Sequence, residues 1–282
     1  MPTISVNEIK RIKSLASKKF RDMYGEFTVE GEKMVAEAVS SSFAVEKIWR
    51  RDEIGEEAMS RISQLSSPSP VLAVVRKPEN VSLDTGMQIR EALMSASGPV
   101  GKDIHNACKE TGTDDDAVSG RRLSGLYLAL DTMRDPGNLG TVLRIADWFG
   151  INAVFASPDT VDVFNPKVVQ STMGAIFRVR FHYADIPDLA KTVLDAGGKV
   201  YGTFLDGRNI YSTGLDCGTA SPVLIVIGNE SEGISDEVAR LVSDRLFIPP
   251  YPADDPGSES LNAAVATAVT VAEFRRRSMQ KV

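Results

Sequence analysis

The stretch LYLALDTMRDPGNLGTVLRIADWFGINAVFA, residues 126–156, carries the pattern that decides the fold class. LYLAL and NAVFA are short apolar runs without clean alternation, and between them Leu139, Val142, Leu143 and Ala146 recur at helical spacing. Strand, helix and strand in that order need a crossover connection, and crossovers build parallel sheets covered on both faces. Pro136 and Gly137 mark a turn, and Asn138 is a suitable helix cap because its side chain accepts from an orphan N–H. Thr141, Arg144 and Trp148 lie off the apolar stripe. Taken alone, a capped surface helix with an Arg144–Asp147 pair accounts for the stretch as well as a binding site does. The glycines suggest a phosphate cradle, and their spacing rejects it. A P-loop needs GxxxxGK followed by Ser or Thr, a dinucleotide fold needs GxGxxG, and Gly137, Gly140 and Gly150 fit neither. The same mismatch counts against a nucleotide-dependent oxidoreductase.

Downstream, PKVVQST and IPDLAKTVLDA read as helices, KVYGTF and VLIVI as strands, SDEVARL as a short helix, RLFI as a strand and ESLNAAVATAVTVAEFRRR as a long final helix. Residues 123–282 are therefore expected to form one doubly covered α/β domain, with ligands beyond the C-terminal ends of its strands. Upstream, Ile9, Ile12 and Leu15 open a helical pattern. FTVEG then leads into KMVAEAVS, FAVEKIW precedes IGEEAMSRISQL, and VLAVV follows SSPSP. Residues 1–77 thus read as a small α/β unit. Between the two, residues 78–122 are rich in Gly, Ser and Asp, which predicts a linker or surface insertion with at best one short helix over MQIREALM. Its run Asp114, Asp115, Asp116 is a solvated face rather than a metal site.

A chain of 282 residues with 43% apolar content has ample material for a core, and its net charge of −6 argues mildly against a surface coated for nucleic acid. Local charge departs from that average. Residues 8–21 hold Lys10, Arg11, Lys13, Lys18, Lys19 and Arg21 against Glu8 alone, and Lys13, Lys18, Lys19 and Arg21 are the candidate phosphate contacts, Lys13 and Arg21 first. A solvated helix explains the same charges without RNA. Arg275, Arg276 and Arg277 close the final helix, where positive charge also suits the helix dipole. Cys108, Cys217, His105 and His182 have no ligand-like spacing, so no metal or disulfide framework is expected and a cytoplasmic location is. No uninterrupted apolar stretch approaches a membrane span, and the start MPTISVNEIKRIK has no apolar signal core.

Two further stretches share the character of the first. VLIVIGNESEG, residues 223–233, ends a buried strand and sets Gly228, Asn229, Glu230, Glu232 and Gly233 in a turn, where glycine permits close approach of backbone to a ligand. LFIPPYPADDPGSESLNAAVATAV, residues 246–269, ends another strand and starts a helix that Ser258 or Ser260 could cap. DPGNLGT with Arg144 downstream, IGNESEG, and IP followed by SLN form an ordered trio that resembles the three motifs of the SpoU/TrmH class of RNA ribose 2'-O-methyltransferases in the SPOUT superfamily. The N-terminal unit, with KRIKSL, KKFR, FTVEG and VLAVV, is similar to the substrate-binding domain many members carry, which resembles a ribosomal RNA-binding α/β fold.

That resemblance implies a SPOUT methyltransferase domain with a deep trefoil knot, a homodimer, and S-adenosylmethionine as cofactor. Carried onto this chain, it implies a catalytic set of Asn138, Arg144, Glu230, Ser260 and Asn262, with the cofactor held largely by backbone around Thr203, Ile227, Gly228, Ile248 and Leu261. The reaction implied is methyl transfer to a ribose 2'-hydroxyl, for which the protein aligns the partners and makes the hydroxyl a better nucleophile. Because a guanidinium stays protonated far above neutral pH, a contact from Arg144 that favours alkoxide charge is preferred to a role as base. Glu230 is expected to fix loop N–H groups or Asn138, and Ser260 and Asn262 to orient the nucleotide or the loop. The target expected is ribosomal RNA. A tRNA target and a noncatalytic RNA-binding or ribosome-assembly protein are the alternatives. Two departures from the family pattern, the long segment 78–122 and YPADDPGSE within the third motif, remove no residue of the catalytic set and bear on how RNA or the second subunit is met.

Overall fold

The computed structural model of the protein describes residues 4–79, 81–98, 123–252 and 260–280. The acidic run Asp114–Asp116, His105, Cys108 and Ser258 lie outside the described residues. In chain order the first elements are α1 (Val6–Ser14), α2 (Lys18–Tyr24), β1 (Glu26–Glu30), α3 (Glu32–Ser40), β2 (Val45–Arg50), α4 (Arg51–Ile54), α5 (Glu56–Ile62) and β3 (Val71–Arg76). Then come β4 (Ser82–Leu83), α6 (Gly86–Ala96), β5 (Gly125–Leu130), α7 (Pro136–Trp148), β6 (Ala153–Ala156) and α8 (Pro166–Ser171). The last are β7 (Phe181–Ala184), α9 (Ile186–Asp195), β8 (Lys199–Asn209), β9 (Pro222–Ile227), α10 (Asp236–Ala239), β10 (Asp244–Phe247) and α11 (Ala263–Gln280).

The chain divides into two compact units, and the division does not follow the sequence. The first holds the residues up to Glu79 together with Asp135–Arg144 and Val161–Arg178; the second holds the rest of the described chain. Within the first, β1, β3 and β2 form an antiparallel sheet with β3 in the middle. Alternate residues of a strand face opposite sides. Accordingly Leu72 and Val74 of β3 join Ile9, Ile12, Leu15, Trp49, Met59 and Ile62 in one core cluster under α1 and α5. Phe27 of β1 packs against Phe43 and, at a centroid distance of 4.8 Å, against Phe164, while Phe43 meets Phe177 edge-on at 5.3 Å. Phe164 and Phe177 come from the downstream insert, and aromatic contacts between residues so far apart in sequence are why the insert belongs to this unit. At α1 a capping box of Ser5 and Glu8 fixes the start. The buried Glu30 accepts from Ser63 Oγ and Gln64 N, and burial pushes its carboxyl above the ordinary value.

The second unit is a seven-stranded sheet in the order β10-β8-β9-β5-β6-β7-β4, parallel throughout. The sequence correctly signals a parallel sheet and misplaces one border. Residues 81–98, expected in a linker outside the core, supply the edge strand β4, which pairs with β7, and α6, which buries Ile89, Ala92, Leu93 and Ala96. Those four apolar positions do have helical spacing, but the Gly, Ser and Asp of the neighbouring residues dominate the composition of the segment. On α11 the terminal arginines serve the fold. Arg275 donates to the carbonyls of Phe149 and Gly150, Arg277 to those of Ile210, Tyr211 and Thr213, and Glu273 clamps Arg276 and Arg277. Hydrogen bonds and charge from Arg276 and Arg277 hold the Glu273 carboxyl below its ordinary value.

Candidate active site

The sheet register brings the C-terminal ends of β5 and β9 level with the point at which β8 stops pairing with β9. Leu130 pairs with Ile227, and the β8–β9 ladder ends at Gly202 opposite Val226, so Thr203 emerges beside Ile227. Beyond Gly202, residues 203–207 have no counterpart in β10, because Arg245 pairs with Gly202 and Leu246 with Arg208. Main-chain groups of Thr203 and Gly228 therefore lie past the end of the β8–β9 ladder.

The turns after β5 and β9 are tied into one assembly. Thr132 adopts φ 62°, a left-handed conformation unusual for a β-branched residue, and its N–H donates to Ser157 Oγ at 2.8 Å. Asn229 Nδ2 donates to the Thr132 carbonyl at 2.8 Å, while Asn229 Oδ1 accepts from Ser231 N at 2.8 Å and Glu232 N at 3.1 Å. Asn229 and Gly233 exchange both backbone hydrogen bonds, and Ser235 N donates to Asp131 Oδ2 at 2.8 Å. Exposed Arg134 and Glu232 approach to 3.8 Å between the same two turns. The sequence places Asn229 in this turn without a role, and the buried amide proves to hold the loop. Its position inside GNESEG and the readiness of Asn to bond its own turn were the available signals. Glu230 itself is exposed. Gly228 is explained by the protein's own chain, since a Cβ there would lie 2.3 Å from the Gly233 carbonyl carbon. Its lack of a side chain lets the hairpin close.

On α7 the cap is Asp135, in place of the expected Asn138. Asp135 Oδ1 accepts from Asn138 N at 2.7 Å and its carbonyl from Leu139 N at 3.1 Å, with Pro136 at the first helical position. Asn138 is half-buried in the first turn, two turns ahead of Arg144. Arg144 is exposed and takes part in no ion pair among the described residues, and Leu139, Val142, Leu143 and Ala146 are buried as the periodicity requires. Gly140 faces α8, where a Cβ would come within 2.4 Å of Ser171 Cβ. This glycine is a packing residue.

In the third motif Ile248 is half-buried just after β10, and Ser260, Leu261 and Asn262 are exposed ahead of α11. The helix cap is Asn262, in place of Ser258 or Ser260. Its Oδ1 accepts from Ala264 N at 3.0 Å and Val265 N at 3.3 Å, and its carbonyl from Ala266 N at 2.8 Å. Of the expected phosphate contacts, Lys13, Lys18 and Lys19 are exposed. Arg21 is a correction. Its guanidinium is 2% exposed and donates to Asp162 Oδ2 at 2.9 and 2.6 Å and to the Leu15 and Ala16 carbonyls at 2.8 and 2.7 Å. With its donors so engaged it anchors α2 and is closed to a phosphate.

The SpoU rRNA Methylase family profile matches residues 125–272, and an MRM3-like substrate binding domain profile matches residues 7–77. The chain belongs to the SpoU rRNA methylase family. As a SpoU methylase it is an S-adenosylmethionine-dependent RNA ribose methyltransferase, and its C-terminal domain is the trefoil-knotted SPOUT fold. It is 27% identical to the 23S rRNA (guanosine(2553)-2'-O)-methyltransferase RlmP of Bacillus subtilis, over 95% of this chain and 96% of that protein. A TrmH-family protein from Porphyromonas gingivalis superposes with a TM-score of 0.73 at 32% identity, covering 98% of this chain and 99% of the other. An AdoMet-bound rRNA methyltransferase from Sinorhizobium meliloti superposes with a TM-score of 0.74 at 26% identity, covering 98% and 97%.

The strand ends of this SpoU methylase suit the cofactor. Ile227 is buried with its carbonyl accepting from Asp131 N, and main-chain groups of Thr203 and Gly228 lie beyond the end of the β8–β9 ladder. A zwitterionic nucleoside derivative can be bound by such groups without an acidic ribose-binding residue. The described residues contain no cluster of three or more His, Cys, Asp or Glu that could hold a metal ion, and no described helix is long and apolar enough to cross a membrane. A cavity of about 420 Å³ near Arg90, Leu123, Gly197 and Ser221 lies at the N-terminal ends of β5, β8 and β9, the end of a parallel sheet where ligands do not usually bind.

Proposed function

We propose that the protein methylates a ribose 2'-hydroxyl of ribosomal RNA, working as a homodimer in the cytoplasm. The single observation that carries the chemical reading is the assembly of the turns after β5 and β9, in which Asn229 locks Thr132 and the Glu230 loop together at the level of Thr203 and Ile227. The ribosomal target is supported by the substrate-binding domain at residues 7–77 and by the 23S rRNA substrate in the name of the Bacillus subtilis relative.

S-adenosylmethionine supplies an electrophilic methyl group on a sulfonium that is already a good leaving group. The residues expected to hold it are Thr203, Ile227, Gly228, Ile248 and Leu261, chiefly through their backbone. What remains for the protein is to orient the ribose and favour negative charge on the attacking oxygen. Arg144 has an exposed, uncommitted guanidinium that can donate to the 2'-oxygen and the neighbouring phosphate, so its charge favours alkoxide character as the proton leaves. Asn138 meets the nucleotide from the first turn of α7, which Asp135 caps. Glu230 and Ser260 meet the substrate from the two remaining loops, and Asn262 orders the third loop by capping α11.

The homodimer is supported by exposed apolar surface in the second unit. Trp148 is 85% and Met279 76% exposed. Arg275, one turn before Met279, donates to the carbonyl of Phe149, next to Trp148, so the C-terminal part of α11 is fastened to the end of α7.

The decisive test is incubation with methyl-labelled S-adenosylmethionine and RNA from cells lacking the gene, followed by nucleoside mass spectrometry. A ribose-methylated nucleoside mapped to ribosomal RNA is expected. Absence of label from every cellular RNA would overturn the reading, and label in tRNA alone would overturn the target. Arg144→Ala is expected to lower turnover by a hundredfold or more, on the order of the loss for one transition-state donor, while leaving cofactor affinity within about twofold. An equal loss of cofactor binding would remove Arg144 from the chemical step.

A further inference from the structure

The basic region of α1 and α2 contains an arrangement that charge alone does not require. On α2, Phe20 and Tyr24 stand one turn apart with their rings stacked at 6.2 Å and 18°. The Arg11 guanidinium lies 5.7 Å from the Tyr24 centroid and the Lys19 ammonium 5.9 Å from that of Phe20, so each ring has a cation near its face. Tyr24 is 42% exposed, and neighbouring Met23 is more exposed still. The helix is held at both ends and on its inner side: the buried Arg21 network fastens it to Asp162, and Gly25 closes it in the left-handed conformation at φ 65°. The aromatic pair is thus displayed on a rigid turn.

The charge around it is positive in a protein that is acidic overall. Nearby acids are each committed to a partner, Glu8 to Lys47, Glu26 to Arg11 and Asp22 to Lys77. Lys10, Lys13, Lys18 and Lys19 are exposed and take part in no ion pair among the described residues. A phosphate-binding surface needs the lysines and has no use for exposed rings, whereas an unpaired nucleotide needs both, a π-face for its base and cations for its backbone. We infer that Phe20 and Tyr24, flanked by Arg11, Lys18 and Lys19, form a stacking platform for an unpaired base of single-stranded RNA. Resting on the reading of the protein as an RNA methyltransferase, the platform adds how its N-terminal domain selects substrate. It favours loops and single strands over duplex, because only a base out of its stack can lie on Tyr24.

The test uses the full chain and fluorescence anisotropy with a labelled single-stranded RNA of roughly twelve nucleotides, within the span such sites cover, and a blunt duplex of the same sequence, at several salt concentrations. Tyr24→Ala is expected to weaken single-strand binding roughly tenfold with an unchanged salt slope, Tyr24→Phe to bind as the wild type, and neither to change duplex binding. Paired Lys18→Gln and Lys19→Gln changes should instead flatten the salt slope. Wild-type affinity in Tyr24→Ala, equal loss in Tyr24→Phe, or an equal loss for the duplex each overturns the platform, provided thermal melting shows the variant folded. Methyl incorporation is measured on the same preparations. No incorporation with the Tyr24 effect intact defeats the methyltransferase reading alone; normal incorporation with no Tyr24 effect defeats the platform alone.

Discussion

Arg21 and Lys19 stand two positions apart on α2 and do unlike work. Lys19 reaches solvent, while Arg21 is buried with its guanidinium shared between Asp162 and two carbonyls. Composition predicts the positive charge of both and cannot rank them, because burial of Arg21 depends on Asp162, far away in the chain. The consequence is measurable. Removing one partner of a buried ion pair leaves the other charge unpaired and costs about 3–5 kcal/mol. Arg21→Ala should therefore lower the midpoint of thermal or urea unfolding markedly, whereas Lys19→Ala should leave it nearly unchanged and weaken RNA binding. Normal stability in Arg21→Ala would return that residue to the phosphate surface. Asn229 makes a related point, since the sequence exposes Glu230 as the notable residue while the hydrogen bonds single out the amide beside it.

At the level of elements, α7 was legible in its apolar stripe and misread in its cap, while its glycines had no local explanation. The periodicity of Leu139, Val142, Leu143 and Ala146 is local and survives into the structure as buried positions. The reason for Gly140 is not local, because the residue it accommodates is Ser171 of α8. Helix propensity favours alanine over glycine by about 1 kcal/mol. A Cβ at 2.4 Å from Ser171 Cβ and 3.0 Å from the Val168 carbonyl oxygen forces overpacking, which costs about 1–3 kcal/mol. The second effect should win, so Gly140→Ala is expected to destabilise the protein by about 1 kcal/mol, with partial recovery on adding Ser171→Gly. Stabilisation of the single variant would show that α7 and α8 can separate cheaply. The caps follow the same logic: Asp135 and Asn262 were competing with plausible neighbours, and only the observed turn selects among them.

For the whole molecule, the exposed Trp148 and Met279 carry the prediction about assembly. Trp148→Glu places a charge on the surface expected to be buried between two copies, so light scattering after size exclusion should move from the mass of a dimer to that of a monomer. A wild-type monomer at micromolar concentration would end the homodimer proposal. On the same scale the sequence by itself determined the alternation of strands and helices, the parallel character of the second sheet and the trio of motifs that identifies the chemistry. Each of these rests on residues close together in the chain, where periodicity, turn residues and motif spacing act. Only the tertiary structure decided that residues 135–144 and 161–178 group with the N-terminal unit, and that α6 belongs to the core. It likewise decided that Arg21 is an anchor and that Asn229 joins the turns after β5 and β9. Each of those depends on which distant groups meet: Phe27 with Phe164, Arg21 with Asp162, Asn229 with Thr132. Burial and hydrogen-bond partnership are properties of the packed chain, and no local pattern of residue types encodes them.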